Sequence, residues 1–309
     1  MNWKAEISAA AERIKGYAQV TPVMESRAFG LDFPIEMKLE QFQHTGSFKA
    51  RGAFNTLISC DVPAAGVVAA SGGNHGAAAA FAARSLGYPA KIFVPELAGP
   101  SKISLIERIG ADLSVVPGEY ANALTMAHEH EKATGAMQIH AYDAPATVAG
   151  QGTCFAEWDN QGLQADTVLI AVGGGGLIAG AMAWFQDARK IVAVEPETSC
   201  ALNAALKAGE PVDVPVSGIA ANALGARRIG KICFSLSGSV ESVLVTDDAI
   251  AGAQKALWQS HRILVEPAGA TALAALMSGA YVPEPDEKVA VLICGGNIAP
   301  DPLGGEESA

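Results

Sequence analysis

The sequence predicts an α/β fold with parallel sheets covered by helices on both faces. Three observations carry this. Short apolar runs alternate along the chain with longer segments whose apolar residues recur at helical spacing, which is the pattern of strand–helix–strand units. Glycine turns stand directly after several of the apolar runs, as in Gly72-Gly73-Asn74-His75-Gly76, Gly173 to Gly176 and Gly295-Gly296. A length of 309 residues, 50% of them hydrophobic, suffices for a large core in one big domain or two modest ones.

Residues 4–18 read as an amphipathic helix, with Ile7, Ala11, Ile14 and Tyr17 on one stripe and Thr21-Pro22 at its end. Residues 34–40 alternate as a strand does, and 50–58 have helical spacing. The turn-rich residues 60–66 mark a change of unit. Residues 66–71 form a short buried strand, 77–86 an alanine-rich helix and 90–94 the next strand. The pattern repeats with a helix at 100–109, a strand at 113–116, a helix at 120–134 and a strand at 137–140. A second series starts near Thr147. It holds a helix through 152–160, the clearest strand of the chain at 167–172, a helix at 177–187 and a strand at 190–194 closed by Glu195-Pro196. A helix at 201–207 follows, and then an irregular, small-residue-rich stretch at 217–234. A strand at 240–245 leads into a helix at 247–261, opened by two acids as the helix dipole prefers. Another helix begins at 266–271. The last strand is 289–293, and the polar tail after Pro300 is expected to fray.

Composition narrows the function. A net charge of −11 argues against a nucleic-acid partner or a polybasic membrane surface. No apolar run reaches membrane-spanning length without charge or glycine, and the first residues lack the apolar core of a signal peptide. The five cysteines are scattered without CxxC spacing, so neither a zinc site nor a disulfide framework is indicated, and a cytoplasmic location fits.

Lys49 lies where the 34–40 strand gives way to the 50–58 helix, between Phe48 and a run of small residues. An amine beside an apolar ring and a helix N-terminus is shifted toward its neutral, nucleophilic form. The tetraglycine Gly173 to Gly176 exceeds what a turn requires. Ahead of a helix that starts at Leu177, it makes a phosphate cradle at the carboxyl end of a parallel strand. It is not GxxxxGK[ST], which argues against a nucleoside triphosphate. Other positions keep two readings. Asn74 either donates to a ligand oxygen or caps the following helix. His75 is either a base or a positional residue. Cys294 is either a buried hydrophobe or an S–H donor to a ligand. Glu195 and Glu266 stand at a strand end and a helix start.

Together these segments resemble the fold-type II pyridoxal-phosphate enzymes, and most of all their threonine/serine dehydratase and serine racemase branch. Lys38-Leu39-Glu40 through Thr45-Gly46-Ser47-Phe48-Lys49-Ala50-Arg51-Gly52-Ala53 is similar to the lysine motif of that family. Ser71-Gly72-Gly73-Asn74-His75-Gly76 resembles its asparagine loop, and Gly173 to Leu177 its phosphate loop. Val194-Glu195-Pro196, Glu266-Pro267-Ala268-Gly269-Ala270 and Cys294-Gly295-Gly296-Asn297 follow in matching order and spacing. The resemblance covers nearly the whole chain.

It implies a tryptophan synthase β-subunit-like fold of two open twisted sheets. Residues 1–63 and 144–309 would form a large cofactor-binding domain, and 64–143 a small mobile domain that closes over the site. Lys49 would hold pyridoxal 5'-phosphate as a Schiff base and then take the substrate Cα proton. Phe48 would pack near the ring, Asn74 would bond the ring 3'-oxygen, and Cys294 would face the pyridine nitrogen. Gly173, Gly174, Gly175, Gly176 and Leu177 would bind the phosphate. Ser71, Gly73, Asn74 and His75 would hold the substrate carboxylate. The implied reaction is a deaminating β-elimination of threonine, serine or a similar β-hydroxy amino acid, giving a 2-oxo acid and ammonia. A 3-hydroxyaspartate dehydratase and a serine racemase are the alternatives. A non-catalytic binder of the cofactor or of a nucleotide is the reading from another class.

Departures from the family pattern refine this. Racemases carry a serine two residues before the loop asparagine, where this chain has Gly72, which disfavours racemisation. A divalent cation, magnesium or manganese, would sit at Glu195, but the downstream position where an aspartate is expected is Ala201. Selectivity is expected in residues 217–224. The resemblance also implies a homodimer or homotetramer and, with the chain stopping at residue 309, no isoleucine feedback.

Overall fold

The computed structural model describes residues 1–98, 100–118 and 120–299. The tail expected to fray lies outside the described residues. The chain opens with α1 (Trp3–Arg13), β1 (Val23–Ser26), β2 (Ile35–Leu39) and α2 (Lys49–Ser59). It continues through β3 (Val67–Ala70), α3 (Asn74–Ser85), β4 (Ala90–Pro95), α4 (Pro100–Ile109), β5 (Asp112–Val116), α5 (Tyr120–Thr134) and β6 (Met137–Gln138). Then come α6 (Pro145–Asn160), β7 (Thr167–Ala171), α7 (Gly176–Phe185), β8 (Lys190–Pro196), α8 (Ala201–Ala208), α9 (Ala221–Leu224) and α10 (Lys231–Leu236). The last elements are β9 (Glu241–Val245), α11 (Asp247–His261), α12 (Pro267–Met277) and β10 (Val289–Ile293).

These strands make two sheets. The larger has the order β1-β2-β10-β7-β8-β9 and the smaller the order β5-β4-β3-β6. Every pair is parallel except β1 with β2. The central strands β7 and β10 are buried along their whole length, as strands covered by helices on both faces must be. Their apolar runs are the reason the sequence places them so clearly.

Several predicted boundaries move. β1 is four residues long, too short to display alternation, and its antiparallel pairing makes the large sheet mixed rather than wholly parallel. The first helix stops at Arg13, and Gly16 then turns the chain at φ +83°. The strand expected over 137–140 contracts to Met137–Gln138. The stretch 217–234 contains the short helices α9 and α10. The helix after the asparagine loop starts at Asn74 itself, with Gly73 as its cap and no side-chain capping bond, so the capping alternative for Asn74 falls.

The large sheet seats Lys49. α2 packs on α6, and α6 on α7, through glycines. A Cβ at Gly150 would lie 2.6 Å from Gly52 Cα, and one at Gly180 would lie 2.6 Å from Gly152 N. Backbones in such contact leave α2 little room to slide.

Candidate active site

The loops after β2, β3, β7 and β10 converge at the carboxyl ends of the strands, where open parallel sheets bind their ligands. A cleft lies there. Its walls include Phe48, Lys49, Asn74, the glycines 173–176 and Cys294. Two facing loops define one side. Phe48 N donates to Cys294 O at 3.2 Å, and Ser47 bridges to Gly295.

Lys49 is the first residue of α2. Its Nζ donates to Ala141 O at 2.9 Å and lies 5.1 Å from the centre of the Phe48 ring. Burial lowers its pKa to about 8, with Cys294 and Glu266 pulling the other way. About a tenth of the amine is therefore neutral at pH 7, far more than for a solvated lysine.

The glycine loop is backbone-lined by necessity. Gly175 caps α7 at φ +90°, a conformation that side chains rarely adopt. A Cβ at Gly173 would lie 2.9 Å from Leu224 Cα. One at Gly174 would run into the Tyr142 ring, and one at Gly175 would lie 2.6 Å from Cys233 Sγ. The loop thus presents its N–H groups at the start of α7, which is the chemistry a phosphate requires. Cys294 sits opposite. Burial pushes its thiol pKa well up, so it is neutral and donates to Ala268 O at 3.4 Å.

Asn74 lies at the start of α3. Its Nδ2 donates to Glu266 Oε1 at 2.5 Å, and its Oδ1 accepts from Asn297 Nδ2 at 2.8 Å. Ser71, Gly73 and His75 stand beside it. Ser71 Oγ accepts from Gly73 N at 3.2 Å. His75 Nε2 bonds Ile139 O at 2.9 Å, and a carbonyl only accepts, so the proton is on Nε2. Burial and then the neighbouring Lys49 lower the His75 pKa to about 3. The ring is neutral, its Nδ1 is an acceptor, and it is a poor base.

The profile of the family described as pyridoxal-phosphate dependent enzyme matches residues 14–295. The chain belongs to that family. Among relatives of this pyridoxal-phosphate enzyme, the phenylserine dehydratase of Ralstonia pickettii is 33% identical over 294 residues, covering 92% of this chain and 90% of the relative. The L-threonine ammonia-lyase of Geobacter sulfurreducens is 34% identical over 301 residues, covering 94% and 75%. The chain spans 57% of the biosynthetic L-threonine dehydratase of Escherichia coli, at 35% identity. Among solved structures, maize serine racemase superposes with a TM-score of 0.90 at 30% identity, over 96% of this chain and 93% of that one. These neighbours agree with the predicted fold class.

The residues present fit the cofactor: a buried amine, an apolar ring, a backbone phosphate cradle and a neutral thiol surround one cleft. They do not fit a divalent cation. Glu195 is buried at the end of β8, and its two oxygens accept from Leu202 N and Asn203 N at 2.8 Å each, closing the start of α8. Burial raises its pKa to about 7 against the pull of these bonds. No cluster of three His, Cys, Asp or Glu side chains able to hold a metal occurs among the described residues.

Sequence reasoning missed Tyr142 against the glycine loop and the bonds of Glu266 and Asn297 to Asn74. It also missed a buried ion cluster. Arg51 meets Glu40 at 2.7 Å and Glu157 at 3.0 Å, and Lys38 meets Glu157 at 2.6 Å. Asn297 stood in a quoted motif and Arg51 follows Lys49 by two positions, so position alone flagged them, without a partner. Among the described residues no helix is long and apolar enough to cross a membrane.

Proposed function

We propose that this protein is a pyridoxal-phosphate-dependent deaminating dehydratase of β-hydroxy amino acids such as threonine and serine. The observation that carries the reading is the buried Lys49 amine at the start of α2, its pKa lowered to about 8, facing a glycine cradle across the cleft from a neutral thiol. The dehydratase and ammonia-lyase relatives support it.

Lys49 is the residue that would attach the cofactor. Phe48 would pack on its ring, Asn74 would bond its ring oxygen, Gly173 to Leu177 would hold its phosphate, and Cys294 would face its pyridine nitrogen. When bound, pyridoxal phosphate supplies the electron sink for negative charge at the substrate Cα, which no side chain supplies. The chain does the rest. Ser71 Oγ and the free N–H groups at the start of α3, those of Asn74 and His75 among them, hold the substrate carboxylate. The neutral His75 ring orients the loop through Ile139 rather than donating to that carboxylate. Lys49 Nζ accepts the Cα proton. The Cβ–O bond breaks, and the hydroxyl leaves as water by taking the proton that Lys49 Nζ received. The released enamine takes up water and yields a 2-oxo acid and ammonia.

Position 72 bears on racemisation. A side chain there would run into Ala98 Cβ and stand 2.9 Å from Val94 Cγ1, so a hydroxyl base has no room opposite Lys49. Residues 64–143 act as the small mobile domain in this reading, and the working state is a cytoplasmic homodimer or homotetramer. The exposed Val20 and Phe42 side chains fit burial against a second copy.

The test is a product assay on the holoenzyme with L-threonine and L-serine. Equal amounts of 2-oxo acid and ammonia are expected, and Lys49→Ala abolishes both along with the visible band of the bound cofactor. Formation of D-serine faster than pyruvate, or a visible band that survives Lys49→Ala, would overturn the reading.

A further inference from the structure

A second cavity adjoins the cleft. Ala223, Glu266 and Ala268 line both, so the two share a wall. The annex extends beyond them along the stretch of Ile219 and Ala220 just before α9, along Asn222 within α9, and along Pro267 at the start of α12. That stretch is tied down on both sides. Ser217 N donates to Thr198 O at 3.0 Å, Ser199 Oγ donates to Leu224 O at 2.8 Å, and Ile219 N donates to Asp247 Oδ2 at 3.2 Å. The annex is therefore preformed rather than made by a loose loop.

We infer that the annex receives the β-substituent of the substrate, and that it selects uncharged apolar substituents, a methyl or an aryl group, over an anionic one. The inference rests on the β-elimination reading above. Its lining argues for the class. Ile219, Ala220, Ala223, Pro267 and Ala268 offer apolar surface, and the alanines leave space that larger side chains would fill. Asn222 and Asn297 are polar but uncharged. Among the described residues that line the annex, Glu266 is the ionisable one, and there is no lysine, arginine or histidine. A β-carboxylate, as in 3-hydroxyaspartate, would lie beside the Glu266 carboxylate with no cation to receive it, and like charges so placed are strongly disfavoured.

The experiment measures kcat/KM of the holoenzyme for L-serine, L-threonine, L-threo-3-phenylserine and L-threo-3-hydroxyaspartate. Threonine and phenylserine are expected to exceed hydroxyaspartate by about a hundredfold. Asn222 is solvent-exposed at the rim, so Asn222→Arg puts a cation into the annex without disturbing the core. It is expected to narrow the threonine-to-hydroxyaspartate ratio by about tenfold. Ile219→Arg, at the half-exposed neighbouring wall, is the second variant should the first not fold. Wild-type turnover of hydroxyaspartate as fast as threonine overturns the inference. So does an unchanged ratio in a variant whose cofactor band is intact. Brisk pyruvate release from serine alongside either result leaves the elimination reading standing. Failure of all four substrates to give a 2-oxo acid, with cofactor bound, overturns both.

Discussion

The carboxamide of Asn74 can face only one way. Thr45 O accepts and cannot donate, so the atom of Asn297 that lies 2.7 Å from it is Nδ2. The other hydrogen of that nitrogen then needs an acceptor, which is Asn74 Oδ1 at 2.8 Å. Asn74 Nδ2 is left toward the Glu266 carboxylate, with its second hydrogen free for the cleft. Asn297→Asp breaks this chain, because a carboxylate cannot donate to either carbonyl. It is expected to weaken cofactor binding about tenfold and to move the visible spectrum as Asn74→Ala does. In an Asn74→Ala background Asn297→Asp should add nothing; equal effects in both backgrounds would show that Asn297 does not act through Asn74. The Lys49 amine supplies a second expectation. With a pKa held to about 8 by burial, its nucleophilic neutral form grows with pH up to that value. The rate at which apo-protein takes up the cofactor should rise with pH and level off above about 8, and stopped-flow absorbance reads it directly. A rate that keeps climbing to pH 10 would mean that the amine is solvated.

At the scale of elements, α2 is held by charge as well as by glycine contact. Arg51, two residues beyond Lys49, is buried and bridges Glu40 at the end of β2 to Glu157 on α6. Arg51→Met would leave Glu40 without its cation in the interior, at a cost of about 3–5 kcal/mol, read from the midpoint of urea unfolding. An unchanged midpoint would mean that water reaches the cluster. The sign of the pH effect follows from Glu157. Burial raises its pKa, but Arg51 and Lys38 outweigh burial and hold it below the usual 4.5. That contribution to stability is complete above about 4.5 and is lost as the pH falls through the lowered value. The cluster shows where sequence reading stops. Lysine, arginine and glutamate read as solvated unless their partners are known, and Lys38 and Glu157 are 119 positions apart. Strands β7 and β10 were legible because four and five consecutive buried apolar residues need no partner to be recognised. β1 was not, because Val23-Met24-Glu25-Ser26 becomes a strand only by lying against β2.

At the scale of the molecule, the site is the seam between the two sheets. The large sheet brings Lys49, the glycine cradle, Glu266 and Cys294, and the small sheet brings Ser71, Asn74 and His75. The lysine, asparagine and glycine motifs were each readable in isolation, since a strand followed by a glycine turn is a local pattern. Their meeting was not, because the bond from Asn74 to Glu266 spans 192 positions and the one to Asn297 spans 223. Few bonds cross the seam beside these. Lys49 Nζ reaches Ala141 O at 2.9 Å, and Asp143 Oδ1 accepts from Ile232 N at 2.9 Å. A substrate carboxylate at the start of α3 and an amine drawn from Ala141 toward the cofactor would replace loose crossings with charged ones, which are stronger. Closure of residues 64–143 on the large sheet is the expected response. Hydrogen exchange of the holoenzyme with and without L-alanine, which lacks a β-leaving group, tests it. Amides 71–76 and 137–143 should slow by about tenfold, and those of β7 and β10 should not change. Uniform slowing across both sheets would indicate general stabilisation by the ligand, and no slowing at saturation would mean that the small sheet does not close.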